Sequence, residues 1–390
     1  MSGQTRRIRV LHSLSAIATG GVERRRLSLA KLLDPSRYEQ RIMARGVMGS
    51  LPAELEAAGV PVDVLGGTRF VERQAVQRAL RVAREFRPDI VHGAVFEGLA
   101  VALVAGRAVG ARVVIEETSH PVNRSRAGHA LFKSLALASD ACVAISPAVG
   151  QFLCEVGGMP RSRVVVIPNG VATPVVPDAA RLAELRAQLR IPHGAVVVGT
   201  VGRLVDDSHK RVSDLLRAMA KLRDEQPRVH LVVVGDGKER PGLERLAAEL
   251  GVTEHVSFAG HSDDVGSFYG LMDIFALVSG REGFGLVVAE AMLCSLPVIA
   301  TAVGGLLDIV VPEETGLLIP PAAPDEIARA IRALRSDPER RQRLGLAGQQ
   351  RARERFGAER YVRDVDAFYQ GLLARPRGLP WSIWPSQSPA

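Results

Sequence analysis

Two carboxylates frame the most chemically suggestive stretch of the chain, Ser279-Gly-Arg-Glu282-Gly283-Phe284-Gly285-Leu286-Val-Val-Ala-Glu290. It follows the apolar run Ile274–Val278 and opens a helix expected over Leu286–Leu293. Gly283 and Gly285 permit a tight turn whose N–H groups, with the positive end of the helix, suit an anion. Glu282 lies in the turn and Glu290 about a turn and a half into the helix. One carboxylate therefore reaches a ligand over the helix start and the other its far end. Ionised carboxylates accept hydrogen bonds well from the paired hydroxyls of sugars. Glu290 sits among Val287, Val288, Ala289, Ala291 and Met292, where a carboxylate is costly without a partner.

A second cluster, Val201-Gly-Arg203-Leu-Val-Asp-Asp-Ser-His-Lys210, puts a guanidinium just past a strand end and an ammonium before a helix. Such a pair suits a diphosphate. Taken alone, it reads equally as two solvated charges. Gly20-Gly21 lies between the opening strand and a helix, another place where an anion can approach backbone N–H groups. It is not the dinucleotide fingerprint, and no well-placed acidic residue follows for a ribose, which disfavours a nicotinamide site. No Asp-x-Asp suits a metal-bound nucleotide, and no tight histidine or cysteine cluster offers metal ligands, so no metal or cofactor is expected.

These residues need strand ends to stand on, and the chain supplies them in alternation. Strands are expected at Ile8–His12, Gln40–Ala44, Val62–Leu65, Ile90–His92, Arg112–Ile115, Ala141–Ala144 and Val164–Ile167. A second set follows at Val196–Val201, His230–Val234, Val256–Phe258, Ile274–Val278, Pro297–Ala300 and Gly316–Ile319. Helical patterns lie between them, among them Val22–Leu33, Val71–Phe86, Ala127–Ala138, Asp214–Arg223, Gly242–Leu250 and Asp325–Leu334. Short strands alternating with longer helices mean parallel sheets with crossover helices. At 390 residues two domains are expected, and the proline-rich Pro168–Pro177 cannot continue a helix or central strand. The expected fold is α/β: two doubly wound Rossmann-like domains facing a central cleft. Residues 1–172 form the first and 173–358 the second; a helix at about 359–374 packs back on the first. A proline- and serine-rich tail fills 375–390, with Trp381 and Trp384 able to pin it.

Composition narrows the class. At 47% hydrophobic and 24% charged residues the chain can bury a large core, which excludes disorder for most of its length. No apolar run approaches the roughly eighteen residues of a membrane span. Nor does the start carry a signal-peptide pattern. Cys142, Cys154 and Cys294 are scattered and read as buried thiols in a reducing compartment, so a cytoplasmic location is expected. The net charge of +8 is unevenly spread: 23 basic and 14 acidic residues occupy positions 1–172, giving that half +9. Something anionic facing the first half is one reading and a solvated arginine surface the other. Aromatics at 4% and the absence of any zinc-finger-like motif argue against nucleic acid.

The Glu282-x7-Glu290 stretch with its Gly-Phe-Gly, followed by Pro297–Gly305 and Thr315-Gly-Leu-Leu318, resembles the signature of family 4 retaining glycosyltransferases (glycosyltransferase group 1) with a GT-B fold. Gly20-Gly21, Ile167-Pro-Asn-Gly170, Gly202-Arg-Leu204 with Lys210, and Gly235-Asp-Gly237 fit the same family in the same order, so the resemblance covers roughly residues 8–370. One departure is Arg211, where the family commonly has glycine after the lysine.

The resemblance implies a nucleotide-sugar donor held mainly by the second domain. Arg203 and Lys210 would hold its diphosphate with the N–H groups of Gly283, Phe284, Gly285 and Leu286. Glu282 would contact the sugar, Glu290 the ribose, and Gly260-His261 would lie near the base. Gly20 and Gly21 would complete the pyrophosphate region. His120, in the text Glu116-Glu-Thr-Ser-His-Pro121, resembles the family's histidine that touches the donor sugar. It implies retaining, metal-independent transfer to a glycan or lipid-linked acceptor, in bacterial surface polysaccharide or glycoconjugate synthesis. Alternatives within the fold are a nucleotide-sugar 2-epimerase or a non-catalytic nucleotide-sugar-binding subunit. Arg73, Arg78, Arg81, Arg84 and Arg87 accompany a helix with apolar Val76, Leu80 and Ala83. They offer peripheral contact with an anionic membrane, on the inner face of the cytoplasmic membrane.

Overall fold

The computed structural model of the chain describes residues 6–18, 20–67, 72–118, 125–226 and 228–377. His120, Trp381 and Trp384 lie outside them. The chain divides into two compact units, Met1–Gly170 with Ala358–Ala390, and Val171–Gly357.

The first unit is built on seven parallel strands: β1 (Ile8–Ile17), β2 (Tyr38–Val47), β3 (Val62–Val64), β4 (Ile90–Ala94), β5 (Arg112–Glu117), β6 (Ala141–Ala144) and β7 (Val164–Val166). Their order is β3-β2-β1-β4-β5-β6-β7. Helices cover both faces, which is why the central strands are buried throughout. Alternation sends Val10, Ile90 and Val114 into one core layer and Leu11 and Val91 into the other. The helix Ala358–Ala374 supplies Tyr361, Val365, Phe368, Tyr369 and Leu372 to the Val10 layer. On the opposite face, the helix Arg73–Phe86 buries Ala75, Ala79, Val82, Ala83 and Phe86. Its apolar stripe is thus spent on the core, Val76 and Leu80 lie at the margin, and mainly arginines face solvent.

A charged cluster lies inside this unit. Glu116, near the end of β5, takes Arg25 on one carboxylate oxygen and Arg26, at 2.6 Å, on the other. The His92 ring nitrogen Nε2 lies 3.2 Å from the same carboxylate, and its Nδ1 is 2.7 Å from the Tyr369 hydroxyl. The side chains of Glu116, Arg25, Arg26 and His92 are at least 97% buried. Burial alone would raise the Glu116 carboxyl, but Arg25 and Arg26 hold it well below the usual carboxylate range. Burial and then Arg26 push the His92 imidazole down to about 4. Burial, Arg26 and His92 push His12 down as well.

These shifts set a sign. A histidine kept neutral in the folded state takes up a proton on unfolding, so the unfolded chain binds more protons between pH 6.5 and about 4. Stability is expected to fall as pH drops through that window. Glu116 extends the loss to lower pH, because its stabilisation, present above the ordinary carboxylate range, disappears only as pH falls toward its depressed folded pKa. Urea midpoints measured from pH 7.5 to 4.5 test this. A His92→Gln variant should flatten the upper part of the slope, and an unchanged slope would contradict the assignment.

The second unit repeats the plan with six parallel strands: β8 (Val196–Val201), β9 (Val229–Val234), β10 (Val256–Gly260), β11 (Ile274–Leu277), β12 (Val298–Thr301) and β13 (Gly316–Ile319). Their order, β10-β9-β8-β11-β12-β13, reverses direction between β8 and β11. In open α/β sheets ligands bind outside the carboxyl ends of the strands at such a switch point. Val198, Leu231, Val233, Ile274 and Ala276 form the centre of the core below it.

Candidate functional site

The carboxyl edge of the second sheet is a row of close backbone contacts that only small residues allow. After β8, the Gly202 N–H donates to the Val234 carbonyl at 2.9 Å, and the Leu204 N–H to the Asp236 carbonyl at 2.9 Å. After β9, Gly235 (φ 137°) and Gly237 (φ 156°) adopt backbone conformations that L side chains rarely take. A Cβ on Gly235 would fall on the Gly202 carbonyl oxygen, and one on Gly237 on that of Leu204. The Gly202-Arg203-Leu204 turn is thus clamped by Gly235-Asp-Gly237, and Arg203 stands exposed on a rigid backbone.

Past that turn, the one-turn helix Asp207–Lys210 directs Lys210 at Glu282: Nζ lies 2.8 Å from Oε2, with both side chains mostly buried. The Ser279 hydroxyl reaches the same oxygen at 3.5 Å. The Gly280 N–H donates to the His209 carbonyl at 2.8 Å, which ties the lysine segment to the loop after β11. An ammonium and a carboxylate, each fixed at adjoining strand ends, leave a polar site with both charges in reach of one ligand.

What holds Glu282 is a glycine pair far along the chain. Gly304 has φ 50°, and a Cβ there would fall on the Glu282 carbonyl oxygen. One on Gly305 would lie 2.5 Å from the Gly283 carbonyl oxygen, while the Gly305 N–H donates to Glu282 at 3.0 Å. Gly304→Ala is expected to cost about 1–3 kcal/mol through left-handed backbone strain alone and to displace Glu282. Thermal melts and nucleotide-sugar affinity measured together check this. A variant with wild-type values for both would show that the glycine is dispensable.

The helix Leu286–Leu293 begins at Gly285, whose φ of 102° turns the chain from the Glu282 loop into the helix. Leu286 and Val287 are half-buried at its start. Phe284 points the other way, into the core, and meets Phe356 edge to face at 5.5 Å between ring centroids. Its contribution to the site is therefore its backbone. Glu290 has the partner its apolar surroundings demand, because the buried Tyr269 hydroxyl donates to Oε2 at 2.8 Å. That bond fixes which way the carboxylate faces.

The remaining expected site residues lie on the second sheet's edge, in the first unit or outside the described residues. Gly260 (φ 77°) closes β10 and accepts the Gly235 N–H at 2.8 Å, extending the same strand-end row. His261 is exposed and lies 3.5 Å from Asp263. Gly20 and Gly21 start the helix Gly21–Leu32 of the first unit, and a Cβ on Gly20 would collide with the Glu23 side chain. The expected role of His120 falls outside the described residues. His209 carries no motif of its own, yet it is half-buried beside the lysine; burial, then the Lys210 charge, lower its pKa. Its only sequence signal was adjacency to Lys210.

Residues 183–351 match the family model described as glycosyl transferases group 1, and residues 19–174 that of glycosyltransferase family 4. The lipopolysaccharide core biosynthesis glycosyltransferase LpsE of Rhizobium meliloti is 32% identical over 238 residues, 61% of this chain and 65% of that protein. A D-inositol 3-phosphate glycosyltransferase of Salinispora tropica is 37% identical over 232 residues, 55% of this chain and 48% of that one. The matched part thus spans about half to two thirds of the length of these relatives. Among solved structures, a glycosyltransferase from Rickettsia africae superposes with a TM-score of 0.84 at 20% identity, covering 95% of this chain and all of that one. Anabaena Alr3699/HepE in complex with UDP and glucose gives 0.83 at 24% identity, covering 93% and 100%. At these identities the likeness concerns fold: two Rossmann-like domains of GT-B type.

Proposed function

Because the chain belongs to the group 1 glycosyltransferases of family 4, we propose that it transfers a sugar from a nucleotide-sugar donor to a glycan or lipid-linked acceptor, with retention and without a metal ion. The observation that carries this reading is the Lys210–Glu282 pair at the β8/β11 switch point, with Tyr269-held Glu290 on the helix that follows. Lys210, Arg203 and the N–H groups at the start of Leu286–Leu293 hold the diphosphate and stabilise the charge that builds on it as it leaves. Glu282 holds sugar hydroxyls and Glu290 the ribose. In the reaction the bond from the anomeric carbon to the phosphate oxygen breaks. The acceptor oxygen forms its bond on the same face, and its proton passes to the departing phosphate oxygen. Relatives named for lipopolysaccharide core synthesis and for D-inositol 3-phosphate support a bacterial glycoconjugate product, and the UDP and glucose bound to the Anabaena protein support a uridine donor.

Thermal shift against UDP-, GDP-, ADP- and TDP-sugars, with EDTA present, tests the proposal. One donor at a hundred times its dissociation constant should add about 2.7 kcal/mol of stability. Glu290→Ala should remove that gain. A folded protein that answers to none of the four would overturn the donor reading, and a response that requires added metal would overturn metal independence.

A further inference from the structure

At the opposite end of the first sheet from Gly20-Gly21, where the strands begin, lies a second concave site. It is a cavity of about 600 Å³, within the size range of small-molecule pockets. Arg6, just before β1, Asp89, just before β4, and Arg112, the first residue of β5, line it together with Arg84, Arg87 and Arg377. β1 is ten residues long, so about 33 Å of strand separates this cavity from the glycine turn.

Five guanidiniums thus surround a pocket whose lining holds one carboxylate, Asp89. That carboxylate is engaged, by Arg6 at 2.7 Å and by the Arg9 N–H at 2.8 Å. Two of the arginines are held in place: Arg112 by Asp140, at 3.4 Å, and the Arg375 carbonyl, and Arg377 by the Ala111 carbonyl at 3.0 Å. Arg84 and Arg87 are exposed at the end of the helix Arg73–Phe86. Arg87 occupies a left-handed position, φ 50°, that would suit glycine better, so an arginine there carries a strain cost. Concave walls with an excess of one charge focus the potential inside them, and guanidiniums match phosphate oxygens two at a time.

We propose that this cavity binds a phosphate-bearing ligand, through the exposed Arg6, Arg84, Arg87 and Arg377 and the more buried Arg112. The ligand's source is a soluble phosphorylated molecule or the headgroup of an anionic lipid. It shares no residue with the proposed donor site, and its existence does not depend on the transferase reading.

The test is calorimetric titration of inorganic pyrophosphate into the full-length Lys210→Ala chain, which weakens the donor-site diphosphate contacts, and into the same chain with Arg84→Ala and Arg87→Ala. Loss of two charge-assisted contacts should weaken binding about tenfold or more. Both substituted arginines are solvent-exposed, and circular dichroism and melting temperature confirm that the fold is kept. Equal affinity in the two folded chains, or no binding by either, would overturn the proposal. Sedimentation with phosphatidylcholine vesicles, with and without phosphatidylglycerol, then separates the sources. Vesicle binding lost along with pyrophosphate binding identifies a lipid headgroup; vesicle binding absent or unchanged identifies a soluble ligand.

Discussion

Glu116→Ala is expected to destabilise the first unit by about 3–5 kcal/mol, the usual result of removing one partner from a buried ion pair. The carboxylate sits between two guanidiniums and an imidazole, none of them more than 3% exposed. Its removal leaves Arg25 and Arg26 in low dielectric without the anion that bonds both. Arg26 also lies 3.5 Å from the Tyr361 hydroxyl, and His92 bonds Tyr369, so the loss reaches the packing of Ala358–Ala374. The contrasting variant is Asp366→Ala, whose carboxylate bonds Tyr38 and Arg37 nearer the surface, where such a pair is worth about 1 kcal/mol or less. Urea unfolding followed by tyrosine fluorescence measures both. A Glu116→Ala chain as stable as Asp366→Ala would mean that water enters and solvates the cluster.

The second large effect concerns turnover. Lys210→Ala is expected to lower kcat by about 10²–10³-fold, the scale of losing one preorganised charge aimed at a developing anion. Glu282→Ala should also lower the rate. Because the two groups lie 2.8 Å apart, their losses should not add. The double variant should fall well short of the product of the single effects. Release of nucleoside diphosphate from the donor found by thermal shift provides the assay. A Lys210→Ala rate within threefold of wild type, with donor affinity unchanged, would remove the lysine from the reaction; strictly multiplicative losses would mean that the pair does not act as a unit.

All thirteen strands among the described residues overlap runs expected from sequence, because each contains a short apolar run followed by a turn, although β1 and β2 extend well past the runs expected for them. The turn-to-helix passage at Gly285 was legible for the same reason, since glycine, a strand before it and an apolar helix after it leave few alternatives. The helix Phe96–Ala108 was not legible. It buries Leu99, Val101, Ala102, Ala105 and Gly106, so apolar residues surround most of it and no stripe marks its period. Lys210, Glu282 and Glu290 were legible as candidate site residues, but not what holds them. Tyr269 lies 21 positions before Glu290, and Gly304 lies 22 after Glu282. Neither spacing carries a period, because loops and crossovers rather than a single element bring them together. Glu116 enters the sequence only as the start of the stretch leading to His120; the fold shows that it turns inward to Arg25 and Arg26.

The helix Ala358–Ala374 gives the chain a folding order. The second unit is one continuous stretch, Val171–Gly357, whose core residues emerge from the ribosome without interruption. The first unit is interrupted by it. Arg26, His92 and Val10 emerge early, while the Tyr361, Phe368 and Tyr369 that cover them emerge only after the whole second unit has been made. At about 5–20 residues per second, the intervening stretch takes roughly 10–40 s to synthesise. Through that interval the nascent first sheet keeps one face only partly covered, by the helix Gly21–Leu32, and its buried charges incompletely enclosed. The later half of the protein is thus able to finish first, and the earlier half matures last.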